Sequence, residues 1–198
     1  MAHSRKAEAT PADLPITYAI DGDDRLVAVN AAWSSFAEQN DGIDLLPEKV
    51  IGHSLWDFFS DMAVHEIYRL IFAHVRNGNR TTLTMRCDSD DTCRWIELRL
   101  APLPERGIAF ESRIVHTTPR ASVHLLDASL PRSVHYIRVC SWCNRLSLAS
   151  TRWYELDEAL TTLPIFDEAL PPQVTHCMCE ACYASLQNTF GLAEAAAA

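Results

Sequence analysis

Two Cys-x-x-Cys clips, Cys140-Ser-Trp-Cys143 and Cys179-Glu-Ala-Cys182, stand 35 residues apart near the end of a 198-residue chain. Each clip converges two sulfurs on one point, and the chain between them is long enough to return. Four thiolates can then close a tetrahedral shell around one soft divalent metal, with zinc the expected occupant. Such a shell has no open position for water, so it builds structure instead of activating a nucleophile. The enzymatic rival at Cys140 and Cys143 is a thioredoxin-like dithiol. That chemistry needs a βαβ setting with the first Cys opening a helix, whereas the sequence around Val139 and Leu146 reads as strands. A rubredoxin-like iron shell would want glycines and prolines around its knuckles, and these are missing.

Beside the second clip lie His176 and Cys177. The simpler reading packs Cys177 as a small hydrophobe and gives His176 a hydrogen bond to a sulfur or backbone group. The sharper reading makes them alternate participants in the metal site, with the spare thiol of Cys177 exchanging with a ligand on oxidation. Cys87 and Cys93 flank a polar tip, Asp88-Ser-Asp-Asp-Thr92, across which oxidation could join them; in a reducing compartment they read as ordinary strand cysteines. No phosphate-cradling glycine loop, Gly-x-Ser-x-Gly elbow or His-Glu-x-x-His occurs among the 198 residues. No catalytic residue is therefore assigned, and a non-enzymatic protein is expected.

The elements that must position these groups follow from hydrophobic period. Ile16–Ile20 and Arg25–Val29 form a hairpin over the turn residues Asp21-Gly-Asp-Asp24. Asn30 caps a helix whose Trp33, Phe36 and Ala37 share one face, expected to be buried. A longer helix, Asp61 to Arg76, stacks Val64, Tyr68, Ile71, Phe72 and Val75 and stops at Asn77-Gly78-Asn79. Alternation then marks strands through Leu83 and Met85, through Ile96, Leu98 and Leu100, and from Gly107 to Val115 with Ile108, Phe110 and Ile114 on one face. Ser122–Leu126 either extends the last strand or docks separately. The implied class is α+β, with helices on one face of an antiparallel sheet.

Composition bounds the function. The net charge of −9 includes no basic cluster, and nucleic-acid binding depends on clustered Lys and Arg releasing counterions; a nucleic-acid partner is disfavoured. No apolar run reaches the length of a membrane span, and the start lacks the apolar stretch of a signal peptide. A cytoplasmic location without a membrane partner is expected, where thiols stay reduced and favour metal over disulfide.

Residues 16–127 resemble a PAS domain. The likeness rests on element order and on Ile20-Asp21 through Arg25-Leu-Val-Ala-Val-Asn30, on Ala32-Trp33 with Phe36-Ala37, and on Val50-Ile51-Gly52 with Leu55-Trp56-Asp57-Phe58. The tail resembles a small zinc-ribbon-like segment that follows sensory domains in some bacterial signalling proteins. Its signature of Cys-Ser-x-Cys, a Trp, an acidic-aliphatic helix and His-Gly-x-Cys-x-x-Cys is met by Cys140-Ser-Trp-Cys143, Trp153, Glu155–Leu160 and His176-Cys-Met-Cys-Glu-Ala-Cys182. Cys177 departs from it, standing where the pattern has Gly.

These resemblances imply a PAS-like five-stranded antiparallel sheet with helices on one face, plus a small C-terminal zinc-binding module. The expected boundaries are a disordered leader at 1–15, a sensory domain at 16–127, a zinc-ribbon-like module at 128–190 and a disordered tail at 191–198, with 128–131 a linker or packed turn. A small unidentified ligand would sit between helices and sheet, lined by Trp33, Phe36, Trp56, Tyr68 and Phe72, although each also reads as plain core. Haem is disfavoured because His65 and His74 match no axial-ligand pattern. Flavin photochemistry is disfavoured because no cysteine precedes Cys87. With no kinase, cyclase or helix-turn-helix segment after the sensory part, the signal is expected to pass by contact with a protein partner, and homodimerisation is plausible. The alternatives are a zinc-thiolate redox switch and a constitutive interaction adaptor with no ligand.

Overall fold

The structure, a computed structural model, describes residues 14–40, 42–127, 129–148, 152–167 and 169–191. The expected disordered leader and tail therefore fall, apart from Leu14, Pro15 and Gly191, outside the described residues, as does Ala128 of the candidate linker.

The first half of the chain builds five strands and their covering helices. Strands β1 (Ile16–Ile20) and β2 (Leu26–Val29) form the expected hairpin. Helix α1 (Ala31–Gln39) starts where Asn30 accepts the Trp33 N–H, satisfying a donor that the helix itself cannot pair. The short helix α2 (Pro47–Val50) opens on a proline, whose missing N–H costs nothing there. Helix α3 (Met62–Arg76) begins at Asp61, which accepts from Ala63 and Val64. It ends before Gly78, where φ of +92° suits a residue without a Cβ. Strands β3 (Thr81–Arg86), β4 (Thr92–Pro102) and β5 (Ile108–Pro119) complete an antiparallel sheet of order β2-β1-β5-β4-β3.

One face of that sheet carries Ile20, Leu83, Leu98, Leu100, Ile108 and Phe110, all buried beneath α3, whose Val64, Ile67, Tyr68, Ile71, Phe72 and Val75 are buried in turn. The amphipathic period of α3 thus meets the alternation of the strands, and that match is what closes the core. The fold class is the expected α+β sheet with helices on one face.

Two local expectations change, and of the two readings of residues 122–126 the separately docked one is found. Alternation places Ile114 inward, yet it is 54% exposed. The reason is length: β1 ends with Ile16 opposite Ser112, while β5 runs on to Pro119 paired with β4 alone. Phe36 is 39% exposed, because α1 buries its alanines Ala32 and Ala37. Residues 122–126 are not a strand; His124–Leu126 form a 3₁₀ turn that buries Leu125 in a second core.

The second half adds β6 (Tyr136–Cys140), β7 (Leu146–Ser147), α4 (Leu156–Thr162), β8 (Gln173–Cys177) and α5 (Glu180–Phe190). Strand β6 is central, antiparallel to β7 and parallel to β8. One face of this small sheet, through Ile137, Val139 and Leu146, packs on Leu156, Ala159 and Leu163 of the α4 region. Cys140, Met178, Cys179, Leu186 and Phe190 instead join the core of the five-stranded sheet. The segment that carries the cysteine clips is therefore seated on α3 and the large sheet, with His74 meeting Phe190 edge-on at 5.5 Å.

Candidate metal centre

Cys140 ends β6, and the turn Ser141–Cys143 reverses the chain into β7. Asn144 takes φ of +57° there, a conformation Asn tolerates better than most side chains. The Asn144 N–H donates to the Cys140 carbonyl at 2.9 Å, and the Cys140 N–H to the Arg145 carbonyl at 2.9 Å. These bonds hold the first knuckle closed. Cys179 caps the N-terminus of α5, where its sulfur accepts the Cys182 N–H at 3.4 Å. The Cys179 N–H in turn donates to the Cys140 sulfur at 3.3 Å. Each clip thus presents one sulfur already hydrogen-bonded by backbone.

The four sulfurs of Cys140, Cys143, Cys179 and Cys182 all lie within 4.8 Å of one another. Cys143 and Cys179 are 3.8 Å apart, sulfur to sulfur. A tetrahedral zinc with bonds of about 2.3 Å requires edges of about 3.8 Å, so the donor set fits that ion in number, type and spacing. Protonation of the cluster is shared. Hydrogen bonding from Cys143 and Cys182 holds Cys140 far below the ordinary thiol range, and the bond to Cys140 pushes Cys143 up to about 12. Cys182 is raised further, chiefly by its bond to Cys140. Sulfurs packed this closely cannot all be anions unless a cation sits among them.

Around the sulfurs, Trp142, Trp153, Met178 and Tyr183 pack against the large core. The Trp153 indole N–H donates to Glu180 at 2.6 Å, and the Arg138 guanidinium lies 5.3 Å from its ring centre. The backbone N–H of Arg86, at the end of β3, donates to the Trp142 carbonyl at 2.9 Å. The Arg86 side chain reaches Glu155 at 3.0 Å, and Glu155 also binds Arg145 at 2.8 Å. On its other side Arg86 pairs with Asp88, which Arg120 also holds at 3.1 Å, and the Asp88 side chain is fully buried. These ties between the sheet edge and the knuckle join residues more than 50 positions apart, and no local pattern announces them.

The two residues beside the second clip separate. Cys177 is half-buried and lies outside the four-sulfur group, and burial pushes its thiol up to about 11. His176 is exposed and, as its neighbour on β8, points to the opposite face. Cys87 pairs with Arg94 through its N–H, while Cys93 lies under guanidinium N–H groups of Arg120 at 3.3 Å and Arg86 at 3.6 Å.

Of the aromatic residues expected to line a ligand site, Trp56 and Phe72 meet at 5.4 Å between ring centres, and Tyr68 and Phe72 at 5.7 Å. Phe72 also meets Phe110 at 5.7 Å, and Phe110 stacks on Tyr18 at 4.4 Å. Trp33 joins this chain through Tyr18 at 5.3 Å, while its indole N–H donates to the Leu45 carbonyl. Phe36 stands at the surface of α1. His65 directs its Nε2 to the Phe59 carbonyl at 2.9 Å.

No family model matches this sequence, and no curated protein matches it. Among solved structures, the chain is similar to a domain of an HTR-like protein from Haloarcula marismortui, at 16% identity and a TM-score of 0.36, covering 54% of this chain and 100% of that one. It is similar to the PAS domain of Bordetella pertussis BvgS at 14% identity and a TM-score of 0.36, covering 52% and 73%. A sensory box sensor histidine kinase from Vibrio cholerae gives 11% identity and a TM-score of 0.37, covering 51% and 81%. Among the described residues no helix is long and apolar enough to cross a membrane.

Proposed function

We propose that this chain is a non-enzymatic regulatory protein of a signalling pathway, in which a PAS-like sheet and a zinc-held tail form one body that acts by contact with a protein partner. The observation that carries the reading is the position of the sulfurs. Cys140 and Cys179 are buried in the same core as α3 and the five-stranded sheet. A zinc held by Cys140, Cys143, Cys179 and Cys182 would bond the knuckle to the N-terminus of α5 and hold both against that core. Its chemistry there is structural, because four thiolates fill its coordination shell. The sequence resemblance supports the sensory role and the partner contact.

A signal would act by favouring one arrangement of sheet and tail over another, which requires a different interaction energy with each. A specific observation favours a second reading, a constitutive adaptor. Phe72 packs ring to ring with both Trp56 and Tyr68, so the chain's own side chains meet where a ligand under α3 would sit. Native mass spectrometry of the gently purified chain, set against its denatured mass, separates the two. One zinc with an added organic mass supports the sensor, and one zinc alone supports the adaptor. No metal at all removes the basis of both.

A further inference from the structure

We infer that Cys177 is the oxidation partner of one particular metal ligand, Cys140, and that the disulfide between them opens the metal shell. The inference rests on the metal reading above and adds to it a redox site with a named pair. Strands β6 and β8 are parallel, and their register places Cys140 directly opposite Cys177. Neighbouring strands lie about 4.8 Å apart, inside the range of about 4.4–6.8 Å between α-carbons that a disulfide spans.

The two side chains also share a face. Ile137 and Val139 on β6 face the second core, so Arg138 and Cys140 face the other way, toward the sulfurs. Cys177 pairs with Cys140, just as Thr175 pairs with Arg138 on that face. The ladder is closed at this point by the Ser141 N–H, which donates to the Cys177 carbonyl at 2.7 Å. Both cysteines end their strands, where a small backbone adjustment disturbs little of the sheet. Cys140 is fully buried, whereas Cys177 is half-buried, which leaves one member of the pair within reach of a small oxidant.

The chemistry balances with a hydroperoxide as oxidant. One sulfur of the pair, as thiolate, attacks the O–O bond; an S–O bond forms, and the distal oxygen leaves as hydroxide or alkoxide. The second sulfur then attacks the first, the S–S bond forms, and the S–O bond breaks with loss of hydroxide, which takes up a proton as water. Two electrons pass from the sulfurs to the peroxide. Cys140 in a disulfide is no longer a thiolate donor, so the shell falls from four sulfurs to three and the metal is released more readily. Cys177 itself lies outside the four-sulfur group, so its replacement leaves the shell complete.

The test uses the full chain loaded with zinc and treated with hydrogen peroxide. Remaining thiols are alkylated, disulfides are mapped by mass spectrometry of the digest, and zinc release is followed with a chromophoric chelator. A linked Cys140–Cys177 peptide should appear in step with zinc release. Cys177→Ser and Cys177→Ala should bind one zinc as the parent does and release it several-fold more slowly under peroxide. Disulfides confined to the four ligand cysteines, with unchanged release from both variants, overturn the inference and leave the metal reading standing. A parent chain that takes up no zinc overturns the metal reading, and the inference falls with it.

Discussion

The Arg86 amide donates to the Trp142 carbonyl at 2.9 Å, so the free edge of β3 continues directly into the first cysteine knuckle. Residues 56 positions apart in the chain thus share a backbone hydrogen bond at the seam between sheet and clip. The Arg86 side chain reinforces the seam through Glu155 and Asp88.

Metal removal should therefore be felt in the sheet. Amide exchange at Arg86 and its β3 neighbours should speed up when the zinc-loaded chain is treated with a chelator. Amides in the centre of the sheet, around Leu98 and Phe110, should change far less. Equal change throughout, or none at β3, would count against the seam as a point of coupling.

Replacing one ligand asks whether the shell holds the fold. Cys143→Ser should abolish stoichiometric zinc binding, read by metal analysis. Structural zinc contributes on the order of 10 kcal/mol in small metal-folded peptides, and each kcal/mol moves Tm by about 2–4 °C in a chain of this size. A fall in Tm of at least about 10 °C is the expected outcome. A variant that still binds one zinc per chain at undiminished Tm would remove Cys143 from the shell.

Asp88 offers a test of the seam that leaves the four clip cysteines alone. Its carboxylate is fully buried between Arg86 and Arg120 and also accepts the Arg94 N–H at 3.1 Å. Asp88→Asn would leave two guanidiniums short of their counter-charge, a change that costs about 3–5 kcal/mol in buried pairs. Urea denaturation should show a loss of that order with zinc content unchanged. A loss below about 1 kcal/mol would mean that water already compensates the two arginines.

The elements set by local period were legible in the sequence. The β1–β2 hairpin, the buried stripe of α3 and the Asn30 cap each depend on residues within a few positions, and the spacing of the cysteine clips is itself a local pattern. What was not legible depends on partners that arrive from afar. Asp88 reads as part of a polar tip, yet it is buried because Arg120 returns over it 32 residues later. Ile114 alternates like an inward residue, but β1 is too short to accompany it. The same limit hides the pairing of Cys140 with Cys177, since only the parallel register of β6 and β8 makes them neighbours.

Tyr68 gives the fold an alkaline limit. Burial pushes its phenol up to about 12 from an ordinary value of 10.0. The unfolded chain loses this proton near pH 10 while the folded chain keeps it, so the contribution is fully present below pH 10 and is lost as pH rises toward about 12. The size is on the order of 2–3 kcal/mol. Tyr68→Phe should flatten that part of the stability profile, measured by denaturation between pH 9 and 11 on the parent and the variant. Parallel profiles would show that the phenol ionises without resistance in the folded chain.

Phe72 tests how the space under α3 is filled. It is 1% exposed and its ring meets those of Trp56, Tyr68 and Phe110 within 5.4–5.7 Å. If these rings alone fill the core, Phe72→Ala leaves a cavity with no atoms to replace the lost contacts, and the cost should be about 3–5 kcal/mol. If the native chain instead carries a small ligand against this cluster, the rings are already parted around it. The substitution would then cost less and would also change the amount of ligand retained in native mass spectra. A full cavity penalty with no organic mass in the parent favours the adaptor, because a core closed by its own side chains has no state for a ligand to select.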